Sequence, residues 1–542
     1  MLATSPRLWA LLLGTLLSSC ESALHLTRTY QLPTTSFDPR RFERAIDETA
    51  PPGTYALLAD PAPKQEAPRK PSTEKNTDPN KPEKDPLRLE QVQLSVERHF
   101  PFILAALEEV AIAEAKILSS QGAFDLNLKS KAQKDIGGPE DNERANVLFE
   151  RATPFLGATV LGGYRIGRGE FAEYDAKAET NAGGEFRGGV IVPLLKGRYI
   201  DSRRAAYWQS LLSRDKADTK LVKERLSATK KSAQQYWKWV AAGRKRSVAR
   251  ELLDLAKVRQ VGVQASVDAG QLEEIALVEN RRLIAERTAF LVRAERGLQE
   301  AAIALSLFLR DEDGAPLLPS DDQLPLDFPG LRNPNELFRT DDVERALRFR
   351  PEVQALEIER EKLRLSLDLA KNSLLPKFEL DLLASQDIGG QISSSDSKGP
   401  FEFEAGVRFE VPLQRRKARG QVRAAQAEIA LLDQQLRLVR DAVTLEVQDV
   451  ISALRQSYLR VQQVAENQRL AKQLEEAEGV LFEEGQSDLF RLNLREQQTA
   501  SAASSLIDVL VEHFRALAEY RFVLGATYDE VLSAEGLVPY GR

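Results

Sequence analysis

A single cysteine in 542 residues excludes a disulfide framework and any zinc site built on cysteine. Histidine is nearly as scarce: His25, His99 and His513 stand far apart, and none falls in a metal-ligand spacing. No Ser/His/Asp order and no glycine-rich phosphate loop is found, so the sequence predicts no enzyme, no metal and no cofactor. An excess of one charge is also lacking. Lys+Arg 75 against Asp+Glu 81 leaves −6, without the basic balance of a nucleic-acid binder. Past the N-terminus no window of about 18 apolar residues occurs, which excludes a membrane-spanning helix there. A β-barrel escapes that test, because its strands carry weak hydropathy signals. What is present is 42% hydrophobic and 29% charged, enough for a core and a wet surface. At roughly 100–200 residues per domain, the length has room for three or four domains.

The chain opens as an export signal. Arg7 precedes the short apolar run Leu8-Trp9-Ala10-Leu11-Leu12-Leu13, which continues to Leu17 and is too short to span a bilayer. The run ends in Leu17-Ser18-Ser19-Cys20, and small residues before a sole cysteine resemble the lipobox of bacterial lipoproteins. On that reading residues 1–19 are the signal peptide and Cys20 is the lipidated first residue. The plainer reading is an ordinary signal peptide with a chance cysteine. Both take the chain out of the cytoplasm. Residues 27–86 carry eleven of the 26 prolines among Lys, Glu, Asp and Thr. Such a composition cannot offset its chain entropy by burial, so residues 20–85 are expected to be a tether.

Proline then vanishes twice, between Pro193 and Pro316 and between Pro412 and Pro539. Inside a helix proline costs roughly 3 kcal/mol, so two such stretches predict long helices. Each contains a Gly-Gln break, Gly270-Gln271 and Gly485-Gln486, where a shorter helix is expected to return. Val422, Ala425, Ile429, Leu432, Leu436, Val439 and Val443 are spaced alternately by three and four, a heptad seam that means helix packed along helix. At 1.5 Å per residue, 197–269 and 414–484 would each be a rod of roughly 105–110 Å.

The phrases around these blocks recur. Val192-Pro193-Leu194 and Val411-Pro412-Leu413 precede them, and Arg98-His99-Phe100-Pro101 and Arg348-Phe349-Arg350-Pro351 stand farther back. Strand patterns lie between: Phe124-Asp125-Leu126-Asn127-Leu128 in the first half, Phe378-Glu379-Leu380-Asp381-Leu382 in the second. From Phe401 to Val411 every odd position is apolar or Ala and every even one polar or Gly. Ala172, Tyr174, Ala176 and Ala178 alternate in the same way. Alternating segments of about ten residues suit a transmembrane barrel, though a half-buried soluble sheet shows the same pattern. On the barrel reading Phe403, Val407 and Phe409 face lipid, and Glu402, Glu404 and Arg408 the lumen. Helices of about 86–122 and 271–310, laid end to end, match the first long helix. The second half repeats this with 341–375 and 486–525. The organisation is read as a tandem duplication: 86–310 and 341–525 as repeats, 311–340 between them, and 526–542 as a tail.

This ordered set resembles the TolC-like outer-membrane efflux proteins over about residues 86–526, down to the ending Phe514-Arg515-Ala516-Leu517-Ala518-Glu519-Tyr520. The resemblance implies an α+β membrane protein. Three copies would share a β-barrel of about four strands per subunit, continued by a coiled-coil barrel through the periplasm. Residues 311–340 and the tail would belt its middle. It implies a passive outer-membrane tunnel of a tripartite efflux or type I secretion system. The expected partners are a periplasmic adaptor and an inner-membrane pump, met at the turns Gly270, Gln271, Gly485, Gln486 and Ser487. The alternative is a lipid-anchored periplasmic coiled-coil adaptor, which would lack the repeated hairpin-plus-strand unit.

Two departures stand out. The first half has about 35 more residues between Phe124 and Pro193 than the second has between Phe378 and Pro412, so 136–170 either adds a hairpin or forms a long loop. The acidic pair that the best-known members carry after the second turn is replaced by Arg491 and Leu494, so that gate is not carried over. Asp488 and Arg491, with Glu273 and Glu274 at the first turn, could form a mixed entrance layer, or Asp488 could simply cap its helix. Trp208, Trp237 and Trp239 are expected at subunit contacts or against an adaptor, and Arg244-Lys245-Arg246 on a solvated or docking face.

Overall fold

The computed structural model describes residues 85–134, 136, 142–169, 180–270, 272–390 and 401–525. The expected signal peptide, Cys20, the tether but for Asp85, the 172–178 alternation, Gln271 and the tail 526–542 lie outside them.

Helices α1 (Leu89–His99) and α2 (Pro101–Gln121) lead into strands β1 (Leu126–Lys134), β2 (Asn142–Ala152), β3 (Thr159–Gly169) and β4 (Glu185–Pro193). Then come the long helix α3 (Ser202–Asp268) and its return α4 (Glu274–Ser306). A second set follows, with two strands where the first has four: α5 (Asp342–Phe349), α6 (Pro351–Asn372), β5 (Lys377–Asp387), β6 (Glu402–Glu410), α7 (Arg416–Glu483) and α8 (Leu489–Val523). The recurring Phe-Pro and Arg-Pro phrases are helix breaks: Phe100 and Arg350 are extended, and Pro101 and Pro351 open the next helix, where proline's missing N–H is harmless.

The 67 residues of α3 and 68 of α7 make rods of about 100 Å. Each is accompanied by two shorter elements in tandem. Along α3, Lys220 pairs with Glu109 of α2 and Arg225 with Glu97 of α1, whereas Arg287 and Asn280 of α4 donate to the carbonyls of Leu252 and Ala256 farther down. Along α7, Arg360 of α6 pairs with Asp433, and Thr499 of α8 donates to the Ala471 carbonyl. On α7 the seam positions Ala425, Leu432, Leu436, Val443, Val447 and Leu454 are buried, as the heptad requires. Among the described residues no helix is long and apolar enough to cross a membrane.

All six strands form one antiparallel sheet in the order β1-β2-β3-β4-β5-β6, with β4 and β5 joined although the whole α3–α4 hairpin lies between them in sequence. About four strands per subunit is the expectation from the resemblance, and the described residues form a sheet of six. The surplus residues fold as a hairpin, with β2 paired along its length to β1 and β3 paired to both β2 and β4. Its turn is closed where the Thr153 amide and hydroxyl both donate to the Ala158 carbonyl, at 2.7 and 2.9 Å.

Residues 311–340 wrap the middle of α3. Leu87 donates to the Gln323 carbonyl, Arg246 pairs with Asp321, and Phe328 stacks on Trp237. The end of α4 meets α1 here, through Ser95 exchanging hydrogen bonds with the backbone of Arg310 at 2.8 and 3.0 Å.

Candidate functional site

Directly opposed residues of an antiparallel sheet share a face, so the register sorts every side chain. One face carries Leu128 with Phe149, Tyr164 with Phe186, and Leu380 with Val407. On the edge strands its large apolar groups are exposed, Leu128 63%, Phe403 63% and Val407 63%, and farther in Tyr164 and Leu380 are half-buried. The other face is ionic. Lys129 pairs with Glu150 at 2.5 Å, Arg165 with Glu185, and Arg408 reaches both Glu379 and Asp381 at 3.3 and 3.2 Å. Phe403, Val407 and Phe409 thus share the apolar face, and Glu402, Glu404 and Arg408 the ionic one. An exposed apolar face backed by an ion-laced one is the arrangement of a strand set between lipid and a wet lumen.

At the opposite end of the rods both chain reversals are made by glycine. Gly270 (φ +72°) and Gly485 (φ +75°) take the left-handed conformation that a Cβ penalises. At the second, the Gly485 and Gln486 amides donate to the carbonyls of Phe482 and Leu481, at 3.1 and 2.8 Å, capping α7. Asp488 caps α8 by accepting from the Arg491 amide at 2.8 Å. Its side chain lies 3.6 Å from that of Arg491, both well exposed. Glu273 precedes α4 and makes no side-chain cap, and Glu274 is in its first turn. Ser487 donates to Glu478, which also faces Arg495.

Between the tips and the middle lies a group that the sequence did not mark. Glu496 of α8 is buried between Arg259 of α3 and Arg287 of α4, with Arg287 at 2.7 Å. Arg259 also donates to Asn493, and Arg287 to the Leu252 carbonyl at 2.7 Å. One carboxylate thereby ties the α3–α4 hairpin to α8.

The tryptophans correct an expectation. Trp237 and Trp239 are buried in their own chain, with Trp237 stacked on Phe514 at 4.4 Å, and so face neither a neighbouring subunit nor an adaptor. Trp208 is half-buried. Arg244, Lys245 and Arg246 bind the Leu326 carbonyl, Asp508 and Asp321 of the same chain. Nearby, His513 is buried against Ser457 and Phe514, and burial holds its imidazole below the ordinary range. Burial, and donation to Asp342 at 2.7 Å, push the Tyr520 phenol up.

A two-faced antiparallel sheet continued by paired rods of this length is the fold of outer-membrane channels. The chain is similar in structure to the outer membrane protein VceC of Vibrio cholerae, with a TM-score of 0.58 and 14% identity over 81% of this chain and 96% of that one. It is similar to the open state of the MtrE outer membrane channel of Neisseria gonorrhoeae, with a TM-score of 0.56 and 15% identity over 81% and 89%. It is also similar to the CmeC outer membrane channel of Campylobacter jejuni, with a TM-score of 0.54 and 14% identity over 82% and 88%. No protein-family model and no curated protein matches the sequence.

Proposed function

We propose that the chain is the outer-membrane duct of a tripartite efflux or secretion system. Three copies complete a barrel in the outer membrane and a helical tunnel through the periplasm, and solutes pass without chemistry. The observation that carries this reading is the sheet: an exposed apolar face suited to lipid and an ion-paired face suited to a wet lumen, mounted on rods of about 100 Å. A second feature supports association of copies. On the side of α7 away from its seam, Leu431 (62%), Leu438 (68%) and Leu445 (65%) recur every seven residues and are exposed in the single chain. Such a row is a seam awaiting another helix.

The glycine tips, with Gln271, Gln486 and Ser487, are where an adaptor attached to an inner-membrane pump would dock. Glu273, Glu274, Asp488 and Arg491 become rings of charge at the entrance if they face the three-fold axis. Cys20 would anchor each copy to lipid. The test is conductance of the purified full chain in planar bilayers. Discrete steps carried by a species of three chains support the duct. A water-soluble protein that never conducts is the result expected of an adaptor and would reject it.

A further inference from the structure

The sheet ends at β1 on one side and β6 on the other, and among the described residues neither edge has a partner strand. With its apolar face in lipid, an open edge would leave a row of backbone N–H and C=O groups in hydrocarbon, which bilayers do not tolerate. Both edges must therefore be paired. The strand order supplies the occupant. Six strands alternating in direction leave β6 antiparallel to β1 of a second copy, so copies can add head to tail without a break in the ladder.

Side-chain chemistry agrees. Pairing that keeps the apolar faces together sets odd-numbered β6 residues against even-numbered β1 residues. The lumen rows then bring Lys129 and Lys131 of one copy beside Glu402, Glu404 and Glu410 of the next. Among the described residues Lys131 and these three glutamates make no ion pair within the chain. The β2–β3 hairpin cannot be left out of the wall, because it stands between β1 and β4 and is hydrogen-bonded to both.

Resting on the three-copy reading above, we propose that the barrel closes by β1–β6 pairing between copies into eighteen strands. That is half again the twelve implied by the resemblance, and it makes the membrane end of the duct a wide bore. At about 4.8 Å between strands and a tilt near 40°, the backbone radius is roughly 18 Å for eighteen strands against roughly 12 Å for twelve. After allowance for side chains the lumen admits cargo about 20 Å across. The barrel would then not be what limits export to drug-sized solutes, and passage of bulkier, water-soluble cargo is the class of transport it fits.

The experiment uses the full chain with Cys20→Ser. Lys131→Cys is combined in turn with Glu402→Cys, Glu404→Cys, Gly406→Cys or Arg408→Cys, oxidised in the membrane, and the number of copies is counted independently by native mass. The expected result is a covalent trimer from at least one combination and from neither partner cysteine alone. Three copies with no crosslink from any combination would overturn the closure and leave the trimer standing. A copy number other than three would overturn the eighteen-strand count, and crosslinking in that case would fault the three-copy reading, not the edge pairing. Width is read separately, by adding neutral polymers to the barrel side of a conducting bilayer. Polymers about 20 Å across should enter and lower the conductance, and exclusion of everything above about 14 Å would contradict the wide bore.

Discussion

At the middle of the rods and again closer to the tips, the same two helices α3 and α8 meet through opposite chemistries. In the middle the contact is aromatic and aliphatic: Trp237 on Phe514, with Trp239, Leu305 and Phe308 in one buried cluster. Nearer the tips it is a carboxylate between two guanidiniums, Arg259, Glu496 and Arg287. Apolar packing is non-directional and tolerates small shifts, whereas a buried ion group is satisfied in one geometry and is costly when broken. The middle is therefore built as an anchor, and the tip end as a joint whose stability depends on a few directional bonds.

Removing the anchor should have the largest effect. Trp239→Ala should cost about 3–5 kcal/mol and lower the thermal midpoint of the whole helical domain. A midpoint within a degree or so of the parent's would show that the middle is not the anchor. Glu496→Ala leaves the buried Arg287 and the partly buried Arg259 without their carboxylate and should cost about 3–5 kcal/mol locally. Hydrogen exchange should then quicken in α4 and the first half of α8 and stay unchanged around Trp237. Uniform quickening would erase the distinction between the two regions. Replacing the whole group, with Arg259→Met, Glu496→Leu and Arg287→Met, should recover much of the loss, because the cost lies in the unpaired charges.

Smaller effects sharpen the same contrast. Val407→Arg on the apolar face of the sheet should cost about 2–4 kcal/mol at mid-depth and reduce assembled protein in membranes more than Arg408→Ala does. Asp488→Ala should loosen only the start of α8, by about 1 kcal/mol, seen as local exchange near Arg491. The smallest is titration of His513, whose charged form burial disfavours in the folded chain. The unfolded chain accepts a proton more readily, so this contribution is present above an unfolded pKa near 6.5 and lost as pH falls toward the lower folded value. His513→Gln should flatten the fall in thermal midpoint as pH drops below about 6.5, and an unchanged slope would assign that fall to carboxylates.

Much of the architecture could be read before the structure because it is written in local periodicity. The α7 seam from Val422 to Val443, the Gly-Gln reversals and the β5 and β6 alternations are patterns of a single element, and each element formed where its pattern lies. For β2 and β3 the sequence leaves a hairpin and a long loop both open, for a local reason. Arg151 sits among the apolar-face residues of β2 and Leu148 among its ionic-face residues, while Gly162-Gly163 interrupts β3, so neither alternates cleanly. The Arg259–Glu496–Arg287 group was invisible because its members are separated by 209 and 237 residues and carry no spacing signal. The tryptophans misled because amphipathic spacing shows that a helix face is buried, not whether its own chain or another covers it.

A membrane duct requires the sheet to have one face in lipid and the other in water. Single cysteines from Glu402 to Glu410, introduced into the full chain with Cys20→Ser and assembled in outer membranes, test this through reaction with a membrane-impermeant thiol reagent. Alternation is predicted: protection at Phe403, Val407 and Phe409, and modification at Glu404 and Arg408. Modification at every position, as expected for a sheet standing in water, would contradict it.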